Sequence, residues 1–389
     1  MEKRVIIHEK KEKSIKNRHP WIYSGAVKSF PSFEDGEILP VVSSAGEMLG
    51  HAYFNKRCSL VGRMVNFGDA DPLVSLRENM MRAFRSRERH FDDRITNCYR
   101  LINAEGDSLP GLVADRYNNV VVVQISTLGM ERLKPLVVDI IKDYFHPASV
   151  YEKSNMSSRR EEGLELYEGL LYGEHIPVVD VVENSMHFKI DMEGSQKTGF
   201  FLDQRSMREL VMSIARGKTV LNGFGYTGAF SVYALRGFAE KVWTIDISEK
   251  AVERARENIL LNGFDGSENP CVKADMFEFL RRDSSDFDLI ILDPPAFAKK
   301  RKDVVAACRA YKDINRLAIK KIRSEGYVLT CSCSAFVDEA LFRRVVFQAA
   351  AEAGRDVQII QKHRLSFDHP ISIYHPEGEY LKSFLLSVS

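Results

Sequence analysis

Residues 219–228 read TVLNGFGYTG, and residues 287–295 read FDLIILDPP. The first stretch is a short apolar run that enters a glycine-rich turn, and the second is an apolar run that ends in an acid and two prolines. A continuous apolar run is typical of a strand that is buried on both faces. Because proline cannot extend a hydrogen-bonded ladder, the strand is expected to end at Asp293. Together the two stretches predict a doubly wound α/β sheet.

Further strands and helices alternate around these two stretches. Five strands are predicted, at residues 219–222, 241–246, 271–275, 287–293 and 326–330. One helix is predicted from Ser248, a favourable N-cap, to Gly263, a favourable C-terminal stop. A second is predicted from about Asp303 to Arg323, because apolar residues recur there at helical spacing. This alternation is the pattern of βαβ units.

The remaining chain divides into two regions with different patterns. Residues 1–72 contain short apolar runs broken by glycine, proline and asparagine, which predicts a small all-β domain. Residues 73–188 begin with a helix whose surface carries several arginines and continue as mixed strands and a helix, which predicts a connector helix and a central α+β domain. Residues 189–389 then form the doubly wound domain.

The composition limits the class of protein. Hydrophobic residues make up 44% and charged residues 28% of the 389 residues, which excludes disordered, collagen-like and membrane-spanning classes. With 55 basic and 54 acidic residues, the net charge neither indicates nor excludes a nucleic-acid partner. The six cysteines form no CxxC pair, the N-terminal residues carry charge where a signal peptide has an apolar run, and no apolar run is long enough for a membrane helix. We expect a cytoplasmic protein with reduced thiols and no membrane contact.

The cofactor site is predicted at the carboxyl ends of the strands, where open α/β sheets bind ligands. A G-x-G-x-x-G turn lets the backbone approach a ligand, and an acid about 20 residues further on can accept both ribose hydroxyls. This much fits a nicotinamide dinucleotide as well as S-adenosylmethionine. A second strand-end acid suits the adenine amino group and favours S-adenosylmethionine. The predicted cofactor residues are Asn222, Gly223, Gly225, Thr227, Gly228, Asp246, Ile247, Asp275, Met276 and Asp293, with Arg205 for the methionine carboxylate.

The reactive groups are predicted at two strand ends. Asp293 would be held over the crevice by Pro294 and Pro295, where it can hydrogen-bond a nucleobase at N3. The fifth strand runs into Cys331-Ser332-Cys333-Ser334. C5 of cytosine is too weak a nucleophile to attack a methylsulfonium, but a thiolate that adds to C6 converts the ring into a reactive enamine. We expect Cys333 to supply this thiolate and Cys331 to face the sheet.

A basic run, Lys299-Lys300-Arg301-Lys302, follows the Asp-Pro-Pro turn directly. Such a run is usually a solvated face, but its place at the rim of the predicted site also allows contact with phosphates. Both interpretations stay open from the sequence.

These motifs resemble the RlmI-type family of class I methyltransferases, which act on cytosine C5 in large-subunit ribosomal RNA. The resemblance extends over nearly the whole chain. RHPWIYSGAV and LGHAYFN are similar to the family's N-terminal PUA domain, and the middle segment is similar to its central α+β domain. KTGFFLDQR, LNGFGYTGAFS, DPPAFAKKR, TCSCS and HPEGEYLK are similar to blocks of its catalytic domain.

The resemblance implies S-adenosylmethionine as methyl donor, Cys333 as nucleophile, Asp293 as its partner in catalysis and single-stranded or opened 23S rRNA as substrate. It implies that the PUA domain binds RNA, and it allows a homodimer. Many members of the wider RNA cytosine-C5 group carry a second cysteine where Pro295 or Ala296 stands here, which leaves Cys331 as the candidate to assist product release.

Three other functions fit parts of the pattern. A guanine or other base methyltransferase on the same fold would use the cysteines structurally. An NAD-dependent dehydrogenase is supported by the glycine turn alone. An RNA-binding protein with an inactive methyltransferase domain would keep the fold without the chemistry.

Overall fold

The computed structural model describes residues 3–195, 197–282, 284, 286–298 and 300–389. They form two units. The first consists of Met1–Ser185, Ile190–Asp203 and Ser366–Gly378, and the second of Met186–Lys189, Gln204–Leu365 and Glu379–Ser389. The three domains expected at 1–72, 73–188 and 189–389 stay a prediction.

The first part of the chain is rich in short strands. Its strands are β1 Val5–Ile7, β2 Trp21–Tyr23, β3 Val27–Ser29, β4 Ile38–Val42, β5 Met48–Phe54, β6 Leu60–Phe67, β7 Cys98–Asn103, β8 Leu112–Tyr117, β9 Val120–Ile125, β10 Ser149–Ser154, β11 Tyr167–Gly173 and β12 Val178–Glu183. Its helices are α1 Glu12–Lys16, α2 Pro72–Glu88, α3 Leu128–Phe145 and α4 Ser158–Glu161.

From residue 186 onward strands and helices alternate. The strands are β13 Met186–Asp191, β14 Thr219–Gly223, β15 Lys241–Asp246, β16 Cys271–Lys273, β17 Phe287–Leu292, β18 Ile322–Ser332, β19 Val357–Lys362 and β20 Lys382–Val388. The helices are α5 Arg205–Ile214, α6 Ala229–Arg236, α7 Glu249–Leu261, α8 Met276–Arg282, α9 Val304–Lys321 and α10 Glu339–Ala353.

The two larger sheets of the first unit have six and five strands, and β12 pairs with β13 in a separate two-stranded sheet. One has six strands in the order β2-β6-β5-β4-β1-β3, and only its β1–β4 pair is parallel among the strand pairs that the structure describes. The other has five strands in the order β11-β10-β9-β8-β7. Its β9 and β10 are parallel, and α3 supplies the helical crossover that such a pair requires. The all-β and α+β patterns expected for this part of the chain are therefore observed.

Helix α2 is the arginine-rich helix expected after residue 72. Asp71 caps it, since the carboxylate accepts a hydrogen bond from the Leu73 amide at 2.9 Å. Leu76, Met80 and Phe84 are buried on one stripe, while most of the arginines are exposed. Arg87 is the exception that the helical pattern did not reveal.

Arg87 lies in the core of the first unit and is held by a buried ion pair. Its guanidinium donates to both carboxylate oxygens of Asp107, at 2.8 and 2.7 Å. It also donates to the carbonyl oxygens of Arg100 and Asp368, each at 3.1 Å. A buried guanidinium needs such partners, because an unpaired charge in the interior is very costly.

The second unit is built on a seven-stranded sheet in the order β16-β15-β14-β17-β18-β20-β19. The pairs from β16 to β18 are parallel, which confirms the predicted doubly wound sheet. One difference is that β20 enters between β18 and β19 and is antiparallel to both. The sequence pattern did not reveal this, because strand direction depends on the partner and not on the strand's own periodicity.

The predicted strand ends are close to the observed ones. β15 spans the predicted residues, and β14 and β17 end within one residue of the prediction. β16 ends at Lys273, earlier than expected, so Asp275 lies beyond the strand. β18 begins at Ile322, earlier than the expected residue 326. Helix α7 has Ser248 as its N-cap, and Gly263 follows its end in the left-handed conformation, both as predicted.

The core of the second unit lies between the sheet and the helices α8, α9 and α10. Ile290 and Leu292 on β17 pack with Ile314 and Ala318 on α9 and with Phe342 on α10. The stripe of α9 that faces this core also includes Tyr311, whereas the neighbouring Ala310 and Leu317 are only partly buried. Since Tyr311 carries a hydroxyl, the core includes a polar atom near the end of β18.

Candidate active site

The glycine-rich turn between β14 and α6 has a tightly constrained backbone. Phe224 and Tyr226 both have positive φ, at 59° and 46°. The Gly225 amide donates to the Ile245 carbonyl oxygen at 2.8 Å, which fixes the turn to β15. A Cβ atom on Gly225 would lie 2.4 Å from Thr244 Cγ2, so a larger residue cannot fit.

Gly223 and Gly228 are required at the two ends of this turn. A Cβ on Gly223 would lie 2.7 Å from the Met276 side chain. Gly228 has φ +75°, and a Cβ there would lie 2.9 Å from Ala255 Cβ on α7. The glycines therefore bring the turn close to its neighbours, as the G-x-G-x-x-G pattern predicts.

Asp246, at the end of β15, holds a fixed position beside this turn. Its carboxylate accepts hydrogen bonds from the Tyr226 amide at 3.0 Å and from the Ser248 amide at 2.9 Å. The next residue, Ile247, exposes 69% of its surface. A partly exposed carboxylate therefore lies next to an exposed apolar side chain, an arrangement that can hold a ribose and one face of a flat base.

Asp275 and Met276 lie after β16. Asp275 is exposed, and its carboxylate accepts a hydrogen bond from the Glu278 amide at 3.0 Å at the start of α8. It thus has a helix-capping role, and the adenine contact stays a prediction. Met276 is only 2% exposed and belongs to the core, so its side chain presents little surface to a ligand.

Asn222, Thr227 and Arg205 are all buried. The Asn222 side chain donates to Ser231 Oγ at 2.8 Å, and Ser231 Oγ lies 2.7 Å from Thr244 Oγ1. The Thr227 carbonyl accepts a hydrogen bond from Asn258 at 2.9 Å. Arg205 begins α5 and is only 4% exposed. Asn222 therefore ties β14 to α6 and β15, and the cofactor contacts of Asn222, Thr227 and Arg205 stay predictions.

The fourth and fifth strand ends meet. Asp293 follows β17 directly and is partly exposed, and Pro294 after it is buried. Cys333 follows β18 directly, and its Sγ donates to the Pro294 carbonyl oxygen at 3.9 Å. Cys333 is partly exposed, whereas Cys331 is 0% exposed. The structure therefore brings the Cys333 thiol to the Asp-Pro-Pro turn and buries Cys331 in the sheet.

Three residues around Cys333 were not predicted from the sequence. Ser334 is buried, and its Oγ lies 3.0 Å from the Tyr311 hydroxyl and accepts a hydrogen bond from the Ala298 amide at 3.2 Å. Lys382, the first residue of β20, donates from Nζ to the Ser334 carbonyl at 2.8 Å. Burial raises the pKa of the Tyr311 phenol, so it stays neutral. Ser334 and Lys382 end the blocks TCSCS and HPEGEYLK quoted from the sequence, but no role was predicted for either residue.

The basic run lies directly after this turn. Lys300, Arg301 and Lys302 are exposed, and the Lys300 amide donates to the Asp303 carboxylate at 3.0 Å. Lys299 lies outside the described residues. Three exposed cations close in sequence to Asp293 are available for phosphate contacts.

Two negative findings concern the described part of the chain. It contains no cluster of histidine, cysteine or acidic side chains that could hold a metal ion. Its helices are also too short or too polar to cross a bilayer.

Known proteins are similar to this chain in sequence and in fold. A family model described as S-adenosylmethionine-dependent methyltransferase matches residues 161–362, and a PUA-like domain model matches residues 5–67. Ribosomal RNA large subunit methyltransferase I of Yersinia pestis bv. Antiqua is 37% identical over 99% of both chains.

Two solved structures share the whole fold. A SAM-dependent methyltransferase from Streptococcus mutans superimposes with a TM-score of 0.83, and a methyltransferase complexed with SAH superimposes with a TM-score of 0.85. Each is 24% identical to this chain, with 100% of both chains covered.

The sheet, the glycine turn and the matching family model define a class I methyltransferase that uses S-adenosylmethionine. Within that class, the chain belongs to the family of ribosomal RNA large subunit methyltransferase I, as the full-length match to its relatives shows. The predicted fold, cofactor and N-terminal PUA-like domain are confirmed.

Proposed function

We propose that this protein methylates C5 of a cytosine in the 23S RNA of the large ribosomal subunit, with Cys333 as the nucleophile. The observation that carries the proposal is the partly exposed Cys333 thiol beside the carbonyl of Pro294. The names of the full-length relatives support ribosomal RNA as substrate. The base and the covalent route are supported by the chemistry of the two strand ends.

The residues at the turn fit S-adenosylmethionine. The anchored Asp246 carboxylate would accept the ribose hydroxyls, and the exposed Ile247 would pack on adenine. Gly223, Gly225 and Gly228 would let the backbone approach the ligand, and Asp275 would accept from the adenine amino group. Arg205 would bind the methionine carboxylate. When bound, the cofactor supplies an electrophilic methyl group on a sulfonium.

Cys333 and Asp293 would then act on the base. The Cys333 thiolate adds to C6, and the electron pair of the C5–C6 double bond shifts to form a C4–C5 double bond. The electron pair of the C4–N3 double bond moves to N3, which takes up a proton from protonated Asp293. The electron pair of the resulting enamine would form a bond from C5 to the methyl carbon, while the methyl–sulfur bond of the sulfonium would break. N3 then returns its proton to Asp293, the C5 proton leaves to water, the double bond re-forms and the C6–S bond breaks. The Cys333 thiolate is regenerated, so atoms and charges balance.

RNA contacts would come from two places. The exposed Lys300, Arg301 and Lys302 would bind phosphates beside the target base. The PUA-like domain at residues 5–67 would bind RNA elsewhere. A cytosine in a loop or an opened helix is expected as target, since a paired base does not expose C6 to a thiol. We further propose a cytoplasmic location. We also expect a homodimer, and light scattering measures the oligomeric state.

The decisive experiment follows labelled methyl groups from S-adenosylmethionine into unmodified 23S rRNA and resolves the nucleosides. Wild type should label 5-methylcytidine, and Cys333→Ala should abolish labelling while S-adenosylhomocysteine still binds. Cys308→Ala is the matched control, because Cys308 is also a partly buried cysteine, lies on α9 and has no predicted part in the reaction.

Two results would contradict the proposal. Label in a methylated guanosine would favour the other base specificity on this fold. Full activity of Cys333→Ala would refute the thiolate route and leave the cysteines with a structural role.

A further inference from the structure

Lys382 is a buried lysine whose charge has no close acidic partner. Only 5% of its surface is exposed, and lysine is almost never this buried unless it is paired. Its Nζ donates to the carbonyl oxygens of Ser334 at 2.8 Å and Tyr380 at 2.6 Å. Within the described ranges, no carboxylate forms an ion pair with it. Two neutral carbonyls only partly replace the hydration of an ammonium group.

The position of Lys382 is set by the antiparallel ladder between β18 and β20. Lys382 lies opposite Ser332, the residue before Cys333, and its Nζ bonds to the carbonyl of Ser334, the residue after it. The ammonium group therefore lies beside the peptide segment that carries the Cys333 thiol. This neighbourhood exists only because β20 inserts next to β18.

The charges around Lys382 indicate what balances it. Burial lowers the pKa of Lys382, and the negative groups that oppose this effect are, in order, Cys333, Asp338 and Glu379. Asp338 and Glu379 are exposed to solvent, which screens their effect. Asp338 also caps α10, accepting a hydrogen bond from the Leu341 amide at 2.7 Å. Among these three groups, the partly buried Cys333 thiolate is therefore the one that the Lys382 ammonium stabilises most.

We propose that Lys382 is a positioning residue that stabilises the thiolate of Cys333. This inference rests on the proposed role of Cys333 as nucleophile. A cation beside a thiol favours the thiolate, and the thiolate is the form that adds to C6.

The other titratable groups near Cys333 cannot perform this function. Asp293, Asp338 and Glu379 disfavour a thiolate when they are ionised, and the buried Tyr311 phenol is neutral. Directly after β19, His363 Nδ1 lies 2.9 Å from Ser383 Oγ. Successive side chains of a strand point to opposite faces, so Ser383 and His363 lie across the sheet from Lys382. Lys300, Arg301 and Lys302 are exposed, so solvent screens their charges. Among the described residues, Lys382 is left as the buried cation whose charge acts on the Cys333 thiol.

The test measures the reactivity of the Cys333 thiol with iodoacetamide as a function of pH, without RNA or cofactor. Peptide mass spectrometry resolves Cys333 from Cys308, a partly buried cysteine whose pKa is raised by burial. In the wild type, Cys333 should titrate at lower pH than Cys308. Lys382→Met should raise the pKa of Cys333 and lower its alkylation rate at pH 7 about tenfold, the effect expected when an opposite charge is removed.

Control variants separate charge from structure. Lys382→Arg keeps the charge and should keep most of the Cys333 reactivity. Lys362→Met removes an exposed lysine of β19 and should leave the titration unchanged. Binding of S-adenosylhomocysteine, measured by thermal shift, shows whether each variant is folded. If Lys382→Met does not fold, Lys382→Gln, which keeps a hydrogen-bond donor, replaces it.

The outcomes are distinct. The inference is overturned if folded Lys382→Met or Lys382→Gln titrates like the wild type, or if wild-type Cys333 titrates no lower than Cys308. In methyl transfer, the rising limb of the kcat–pH profile should move to higher pH in Lys382→Met, because more alkaline conditions are then needed to form the thiolate. If Lys382 controls the thiol but Cys333→Ala still methylates RNA, the electrostatic assignment stands and the proposed nucleophile fails.

Discussion

Gly228→Ala should destabilise the second unit by a combination of backbone strain and steric overlap. Gly228 has φ +75° at the start of α6, and an added Cβ would lie 2.9 Å from Ala255 Cβ and 3.0 Å from its Cα. A non-glycine residue in the left-handed region costs roughly 1–2 kcal/mol. Overpacking against a neighbouring helix costs about 1–3 kcal/mol more. The expected loss in the free energy of unfolding is therefore about 2–5 kcal/mol.

A matched glycine separates the two contributions. Gly263 follows α7 with a similar φ of +79°, but a Cβ there would meet nothing within 4 Å. Gly263→Ala should therefore lose only the strain, and the difference between the two variants measures the overlap with Ala255. Gly228→Ala should also weaken binding of S-adenosylhomocysteine, because α7 must move away from the cofactor turn.

The assay is urea unfolding followed by tryptophan fluorescence. The chain has two tryptophans, Trp21 in the first unit and Trp243 in the second. A Trp21→Phe background leaves Trp243 on β15 as the reporter, so the signal comes from the unit that carries Gly228. Equal losses for the two glycine variants would refute the overlap, and a loss of less than about 0.5 kcal/mol for Gly228→Ala would refute both contributions.

Two further predictions concern an ion pair and an anchored carboxylate. Asp107→Asn should cost about 3–5 kcal/mol of stability, because it leaves the buried Arg87 guanidinium without its counter-charge. Thermal melting checks this. As the control, Asp92→Asn breaks the exposed Asp92–Arg94 pair and should melt like the wild type. Asp246→Asn should weaken S-adenosylhomocysteine binding about tenfold or more in calorimetry, because an amide cannot accept from both the Tyr226 and Ser248 amides. Glu249→Gln, on the exposed Glu249–Lys273 pair, is its control, and equal affinities would contradict the role given to Asp246.

Much of the second unit could be predicted because its signals are local. The end of β17 follows from two prolines that cannot extend a ladder, and the turn after β14 follows from glycines that allow close approach and, at Gly228, positive φ. The Ser248 cap and the Gly263 stop of α7 are likewise encoded within a few residues of the helix ends. Local backbone chemistry therefore determined where these strands and helices end.

The sequence also placed Asp246, Asp293 and Cys333 at strand ends, and parallel strands bring their carboxyl ends to one edge of the sheet. It could not decide how each of these side chains is engaged. Asn222 pairs with Ser231 on the next helix, and Met276 packs into a core whose members come from strands and helices far apart in the chain.

The difference between the two cysteines depended on tertiary structure. Residues 331 and 333 would share a face if the strand continued, since side chains alternate with a period of two. β18 ends at Ser332, so Cys331 stays buried in the ladder with β20, while Cys333 leaves it at the Pro294 carbonyl. A two-residue period within one strand does not contain this information.

The sequence by itself determined the positions of five strands along the chain, the cofactor turn and the presence of a thiol and an acid at strand ends. Only the tertiary structure decided that β20 runs antiparallel beside β18 and places Lys382 next to Cys333. The physical reason is the distance along the chain over which each effect acts. Propensity, capping and periodicity act over a few residues, whereas burial and the electrostatic environment of a side chain depend on partners far away along the chain. Lys382 and Ser334, for example, are 48 residues apart.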